Sequence, residues 1–446
     1  MAEYSSGFIN SEDEQPIDVK NSEELMPGLA GYVKNKFEDS ENGRRSHENR
    51  WLNAYKNFRG IYDSTTQYRD SERSKVFVKI TKTKVLAAYG QIVDILFANK
   101  KFPLVVQSTP IPEGIAEFAH LETPLDQVVD KYGFEGDGRE LAPGAMEASQ
   151  KNLDFLGGMA NKFPNAPLKE GPSLAGEPQI SPAAEAARKM EELIHDQLLD
   201  SNAVNVFRHS IFEACLLGTG IVKGPLNYNK QIHKWTRTEQ GRVYDPYYKD
   251  CPKIEPVSVW DFHPDPAGTS VEDCEYIIQR HRMNRQQLKA LTNRPFFDKQ
   301  AIEECLVKGP NYEDKYYEDT IRDDETEPYY QENRFEVLEY WGVIDTKFAD
   351  EVGMKLPPSV SPADQIQVNV WVCGTHVLRC VLNPFTPSRL PFHVFPYEIN
   401  PYQIWGVGVA ENMEDAQLLM NGHVRMAIDN LALAGNLVFD IDEASL

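Results

Sequence analysis

The chain has 446 residues, a mass of 50.7 kDa and a formal net charge of −22, with a pI of about 4.9. That acidic balance argues against tight, sequence-independent nucleic-acid binding, which needs clustered Lys and Arg to displace counterions, and it disfavours an anionic membrane surface. A hydrophobic content of 41% with 26% charged residues describes a soluble globular protein long enough for two or three domains.

The opening MAEYSSGFINSEDEQPID is acidic and polar, unlike a secretory signal. No stretch approaches the ~18 apolar residues of a membrane span. Cys215, Cys251, Cys274, Cys305, Cys373 and Cys380 are never in CxxC spacing, which predicts reduced, mostly buried thiols made in a cytosol.

In chain order, residues 1–45 lack periodicity and are expected to form a mobile acidic arm, with one short helix around Leu29–Phe37. Residues 46–109 open with a helix over Ser46–Phe58, where Trp51, Tyr55 and Phe58 share a face. After the polar connection Asp63–Ser74, a helix is expected over Thr83–Ala98. Its stripe of Val85, Tyr89, Ile92 and Leu96, widened by Leu86, Val93 and Phe97, implies burial on more than one side. Leu104–Gln107 has the texture of a short strand. Residues 110–180 turn to Gly, Pro, Ala and acids, a functional excursion or a disordered insertion.

Residues 181–220 return to helix. Ser181-Pro182 starts one whose apolar face is Met190, Leu193, Ile194 and Leu198. Another runs through Val204, Phe207, Ile211 and Ala214 and stops at Gly218-Thr219-Gly220. Residues 221–400 are β-rich: IVKGPLNY, IEPVSVWDFHP, CEYIIQRHRM, RFEVLEYWGVID, IQVNVWVCGTHVLRCVL and FHVFPYEI read as strands, with a hairpin turn at Cys373-Gly374-Thr375-His376. Helices about Asn284–Leu291 and Asp298–Val307 interrupt them. The tract Pro310–Asn333 carries nine acids; its tyrosines could dock it, but a solvated loop is the favoured reading.

Motifs for chemistry are sparse. GxxxxGK[ST], HExxH, GxSxG and a kinase signature are missing from the sequence. The GxG of Trp405-Gly406-Val407-Gly408 lacks the third glycine of a dinucleotide site, and a strand-to-helix turn explains it better than a phosphate cradle. The best metal candidates are Cys373, His376 and Cys380, with His393 further along; core thiols and a surface histidine are the favoured alternative. His263 and Asp265 in WDFHPDP could form a metal or acid/base pair, although an aspartate there more often caps backbone amides. No cofactor, metal or catalytic residue is assigned.

Residues 401–435 hold a long amphipathic helix. At 100° per residue, Val409, Met413, Ala416, Met420, Val424, Ala427, Leu431 and Ala434 form one narrow face, expected to be the inward one. Glu411, Glu414 and Asp415 complement its positive end. Continuous helix over this length spans about 39 Å. Leu418, Met426 and Leu433 lie away from the stripe, which suggests either contact with an adjacent subunit or a helix buried centrally in this chain. Residues 436–446 read as a strand.

Several of these features resemble one family. They are the β-rich stretch ending in Leu390-Pro391-Phe392, the turn Trp405-Gly406-Val407-Gly408, the helix AQLLMNGHVRMAIDN with Gln417 and Asn421, and the exit strand Asn436–Asp442. Upstream, the Trp51–Phe58 helix, SKVFVKITKTKVLAAYGQIVDILF and the WDFHPDP turn follow in the same order. Together they are similar to the portal (head-to-tail connector) proteins of tailed double-stranded DNA phages, short-tailed phages especially.

The resemblance implies an α+β portal-like fold. A mixed helical and β wing leads through the helix at 401–435 into a stem, and 436–446 opens a clip-like strand. It implies a ring, usually of twelve subunits, at one capsid vertex in the virion, assembled in the host bacterial cytoplasm. The implied partners are further copies of the chain, the major capsid protein, the large terminase, head-tail adaptor or tail proteins, and double-stranded DNA that passes without tight binding; no membrane is involved. Leu418, Met426, Leu433, Gln417, Asn421 and Arg425 become candidates for the subunit interface or stem. Such proteins are not enzymes. The family's clip, second stem helix and crown would follow Leu446, so the sequence is expected to be part of a longer or processed portal. Two alternatives remain open at this point: another virion protein, such as an adaptor or internal head protein, and a metal-dependent hydrolase or nuclease using His263, Asp265 and the acidic tract.

Overall fold

The computed structural model describes residues 28–62, 74–98, 102–108, 182–232, 234–238, 241–244, 247–322, 333–352, 354, 365–385 and 387–435. The chain divides into two units, one of residues 1–100 with 197–446 and one of residues 101–196. The arm, insertion, acidic tract and strand expected at residues 1–27, 110–180, 323–332 and 436–446 lie outside the described residues.

Helix α1 runs unbroken over Leu29–Arg59 and corrects the expected division into an arm to residue 45 and a helix from Ser46. Leu29, Ala30, Val33 and Phe37 bury one end, and Trp51, Leu52 and Ala54 the other. The polar middle that suggested a break is buried too: Ser40, Arg44, His47 and Glu48 find partners inside the protein. Gly60, left-handed at φ 82°, ends the helix, its N–H bonded to the Lys56 carbonyl at 2.8 Å. Helix α2 covers Ile80–Phe97. Only Thr81 and Val85 are buried, Tyr89, Ile92 and Leu96 pack in part, and Leu86 and Ile95 are exposed. Among the described residues, burial on more than one side of this helix is therefore not achieved.

In the second unit, residues 102–108 carry no strand, contrary to expectation, and Val106 N donates to Glu191 Oε2 at 3.2 Å. Glu191 lies on α3, Pro182–Asp200, which starts where the Ser-Pro pair predicts. Its expected apolar face is largely uncovered, with Met190 and Leu193 exposed.

Helix α4, Ala203–Leu217, ends at Gly218 and passes into β1, Thr219–Ile232. A small hairpin of β2, Trp235–Thr238, and β3, Gly241–Tyr244, precedes β4, Tyr247–Val257. A tight turn over Val259–Asp261 leads to β5, Phe262–Pro264, then β6, Tyr276–Met283. Helices α5, Arg285–Ala290, and α6, Lys299–Lys308, follow where predicted, capped by Asn284 and Asp298. After α7, Glu318–Arg322, come β7, Phe335–Asp345, α8, Thr346–Glu351, β8, Gln365–Cys373, and β9, His376–Leu382. The predicted hairpin turn is present, with Gly374 at φ 59°. β10, Phe392–Pro396, returns to β1.

Strands β5 to β9 form an antiparallel meander in sequence order, and β10-β1-β4 make a second antiparallel sheet. Alternation sorts the large sheet's side chains. Tyr276, Ile278, Leu338, Tyr340, Val368 and Val370 face one way, against the start of α1. On the other face, Val337, Trp371 and Cys373 meet Leu288, Ile302 and Cys305 of α5 and α6. Further along, Ile277 and Trp341 join a core with α1, α2, α4 and the smaller sheet.

The expected single terminal helix is two. α9, Val409–Asn412, is separated from α10, Glu414–Gly435, by Met413 at ψ 0°. Fully buried Ala410 and a two-pronged bond from Arg50 to Glu411, at 2.9 and 2.8 Å, fix α9 in place. Among the described residues, no helix is long and apolar enough to cross a membrane.

Candidate subunit interface

Helix α10 is turned inside out relative to its sequence pattern. Its buried residues are Gln417, Asn421 and Arg425, at four-residue spacing, while Met420 and Leu431 of the predicted inward stripe are exposed. The partner explains the inversion. Residues 74–79, which precede α2, run without helix or strand partners and lie along α10. Their peptide groups need donors and acceptors, and an apolar face would leave each buried group unpaired at about 1–3 kcal/mol.

The polar side chains supply those bonds in antiparallel order. Gln417 Oε1 accepts from Thr81 N at 3.0 Å and from Thr81 Oγ1 at 2.9 Å, while its Nε2 donates to the Val78 carbonyl. Asn421 Oδ1 accepts from Val78 N at 2.9 Å and from Gln417 Nε2 at 3.0 Å. Asp429 Oδ1 accepts from Ser74 N at 3.0 Å. The Arg425 guanidinium lies over the Tyr62 ring, 5.2 Å from its centroid. Gln417, Asn421 and Arg425, which the resemblance set among the candidates for the subunit interface or stem, are engaged within this chain. The signal for this was the polar i, i+4, i+8 series itself, set beside the apolar stripe of the same helix.

The inversion leaves a long apolar surface. Leu418, Met426 and Leu433 are 67%, 46% and 69% exposed, and Leu419, Met420, Ile428 and Leu431 are exposed around them. On α2, which α10 contacts, Leu86 and Ile95 are exposed as well. Exposed apolar side chains grouped on one element in this way make it a candidate contact surface.

Glycines anchor the approach to this helix. A Cβ on Gly406 would sit 2.4 Å from the Gly218 carbonyl oxygen, and one on Gly218 would meet the Gly406 oxygen at 2.5 Å. Gly406 N donates to Thr219 Oγ1 at 2.9 Å. The GxG is thus a backbone-to-backbone joint between the α4–β1 turn and the lead into α9, as the turn reading expected.

Two buried charge networks stiffen the body that carries α10. Lys223 on β1 reaches Glu339 on β7 at 2.6 Å and Gln279 at 3.0 Å, and His281 Nε2 lies 2.7 Å from the same carboxylate. Trp341 Nε1 donates to the other oxygen at 2.7 Å. Burial by itself would raise the Glu339 pKa, but Lys223 and His281 overcome it and hold the carboxyl well below the usual range. This network joins the two sheets. In the second, Arg280 binds Asp261 at 3.1 Å, the Tyr317 hydroxyl at 3.0 Å and Glu318 at 3.4 Å. Tyr312 also donates to Glu318, and Lys315 pairs with Glu41 at 2.6 Å. The described half of the acidic tract is therefore docked by its tyrosines, correcting the solvated-loop reading there.

The candidate metal and acid/base residues are dispersed. Cys373 and Cys380 belong to cores on opposite faces of the sheet. His376 Nε2 lies 2.8 Å from Lys308 Nζ, its Nδ1 lies 3.4 Å from Glu304, and His393 is exposed. Asp265 accepts from the backbone N–H groups of Ala267 and Glu275, at 3.1 and 3.3 Å, the capping role that competed with catalysis. His263 is fully enclosed, its ring tilted at 47° to that of Phe37 with centroids 4.4 Å apart, and burial drives its pKa well below 6.5. Among the described residues, no three His, Cys, Asp or Glu side chains converge to hold a metal ion.

No curated protein matches the chain. A family model described as Phage SU10 portal protein matches residues 230–443, from β1 through α10; the upstream segments that carry the same likeness precede the match.

Proposed function

We propose, for a chain that belongs through residues 230–443 to the phage portal protein family, that it is the subunit of a portal ring. That family is structural rather than enzymatic and suggests a component of the viral capsid. In the proposed ring, usually of twelve copies, the β-rich body forms the wing and α10 leads into the stem. Double-stranded DNA passes through the axis during packaging and ejection. The large terminase, the major capsid protein and adaptor or tail proteins dock on the ring, which assembles in the host bacterial cytoplasm.

The observation that carries this reading is the family match over the segment containing α10. The exposed Leu418, Met426 and Leu433 support it, because a neighbouring copy would bury them. A net charge of −22 is suited to a channel that must let DNA slide without sticking. Electron microscopy of the purified protein and of virions is the test. Closed rings with an axial hole, seated at one vertex, are expected. A protein that stays monomeric, or a ring found only in the tail or dispersed inside the head, overturns the portal reading in favour of another virion component.

A further inference from the structure

Cys305 and Cys373 are the two cysteines that meet across elements. Cys305, near the end of α6, is 4% exposed, and Cys373, the last residue of β8, is 3% exposed. The Cys305 thiol donates to the Cys373 carbonyl at 3.6 Å, and the two thiols lie within hydrogen-bonding reach of each other. Their surroundings are fixed from both sides. Asp298 N, at the head of α6, donates to the Leu378 carbonyl on β9 at 2.8 Å. At its other end, Lys308 Nζ reaches Thr375 Oγ1 at 3.2 Å and His376 Nε2 at 2.8 Å. Although both thiols are enclosed, Gly374 and Thr375, next to Cys373, are at the surface.

The geometry points to Cys305 and Cys373 as a redox modification site, a dithiol that closes to an intramolecular disulfide when the protein meets a peroxide. The surroundings divide the labour. The Cys373 thiol, bonded to Cys305, lowers the Cys305 pKa; burial works against this, and Lys308 reinforces it. The same bond, with burial, raises Cys373. Burial pushes Cys215 up to about 11, and Cys274 and Cys380 up to about 12, which leaves those thiols inert.

In the first step the Cys305 thiolate attacks one peroxide oxygen and the O–O bond breaks. Cys305 becomes a sulfenic acid, and the departing hydroxide or alkoxide takes up the proton that Cys305 gave. The Cys373 sulfur then attacks the sulfenic sulfur. The S–S bond forms, hydroxide leaves, and the Cys373 proton converts it to water. Two thiols and one hydroperoxide thus give one disulfide, one water and one alcohol, or a second water with hydrogen peroxide. The link would join α6 to the β8–β9 hairpin across a sequence separation of 68. The inference concerns the thiol chemistry of the folded chain alone and stands apart from the portal reading.

The test treats the folded, full chain with dilute hydrogen peroxide, then alkylates it under denaturing conditions and digests it. A peptide pair joining Cys305 to Cys373, lost on reduction with dithiothreitol, is expected in mass spectra, with the other four cysteines alkylated. Cys305→Ser abolishes the pair, and Cys380→Ser retains it. Recovery of both Cys305 and Cys373 as alkylated thiols after peroxide overturns the proposal. So does accumulation of sulfinic acid at Cys305 without the link. These readings on the unaltered chain decide it even if a variant does not fold.

Discussion

Glu213 on α4 shows how much one buried carboxyl can contribute. It accepts from Ser258 Oγ at 2.8 Å and from Val259 N at 3.3 Å, yet burial outweighs both bonds and pushes its pKa up to about 7. The unfolded carboxyl ionises near 4.5, so between those values the folded protein keeps a proton that the unfolded chain has lost. Its contribution is therefore fully present below about pH 4.5 and falls away as the pH rises through about 7. The total loss is on the order of 3 kcal/mol. The enclosed His263 acts in the opposite sense: its depressed pKa costs stability as the pH drops below 6.5. The stability difference between Glu213→Gln and the parent cancels the histidine. That difference is expected to shift in the variant's favour from about pH 5 to about pH 8 in denaturant titrations. A pH-independent difference would mean that Glu213 is ionised throughout.

Between elements, the seam joining α10 to residues 74–81 rests on side-chain amides rather than apolar packing. Gln417→Leu keeps the volume but orphans the Thr81 N–H and the Val78 carbonyl, at an expected cost of about 1–3 kcal/mol. Asn421→Leu orphans Val78 N in the same way. Because Gln417 donates to Asn421 at 3.0 Å, the double variant should cost a different amount from the sum of the singles. Amide hydrogen exchange gives the local readout: Val78 and Thr81 should exchange faster in either variant, with β7 unchanged. Protection retained at both amides would show that the bonds to α10 do not hold the segment.

At the scale of the whole molecule, the exposed apolar surface of α10 is the face on which the proposed ring contact is tested. The triple variant Leu418→Ser, Met426→Ser, Leu433→Ser removes apolar area from positions 67%, 46% and 69% exposed, so the fold of one copy should survive. Light scattering or sedimentation should show self-association weakened at least tenfold, with the thermal midpoint of the dissociated chain little changed. Unaltered association would move the interface to another surface.

The sequence by itself determined where most elements lie. Caps at Asn284 and Asp298, the turn glycine Gly374, the Ser-Pro start of α3 and the alternation of β6 to β9 are local signals, because capping, turn geometry and pleat act over a few residues. It also held the likeness to portal proteins, which is carried by the order of segments. Only the tertiary structure decided which side of an element faces inward. The apolar stripe of α10 is exposed, since distant peptide groups at Ser74, Val78 and Thr81 needed hydrogen bonds that only its polar side could give. The unbroken α1 depended likewise on remote partners for Arg44: the carbonyls of Val259, Trp260 and Phe262. Hydrophobic periodicity measures what a helix would prefer to bury against an apolar core. When its neighbour is bare backbone, the need to pair buried peptide groups reverses that preference, and no window of local sequence contains the partner.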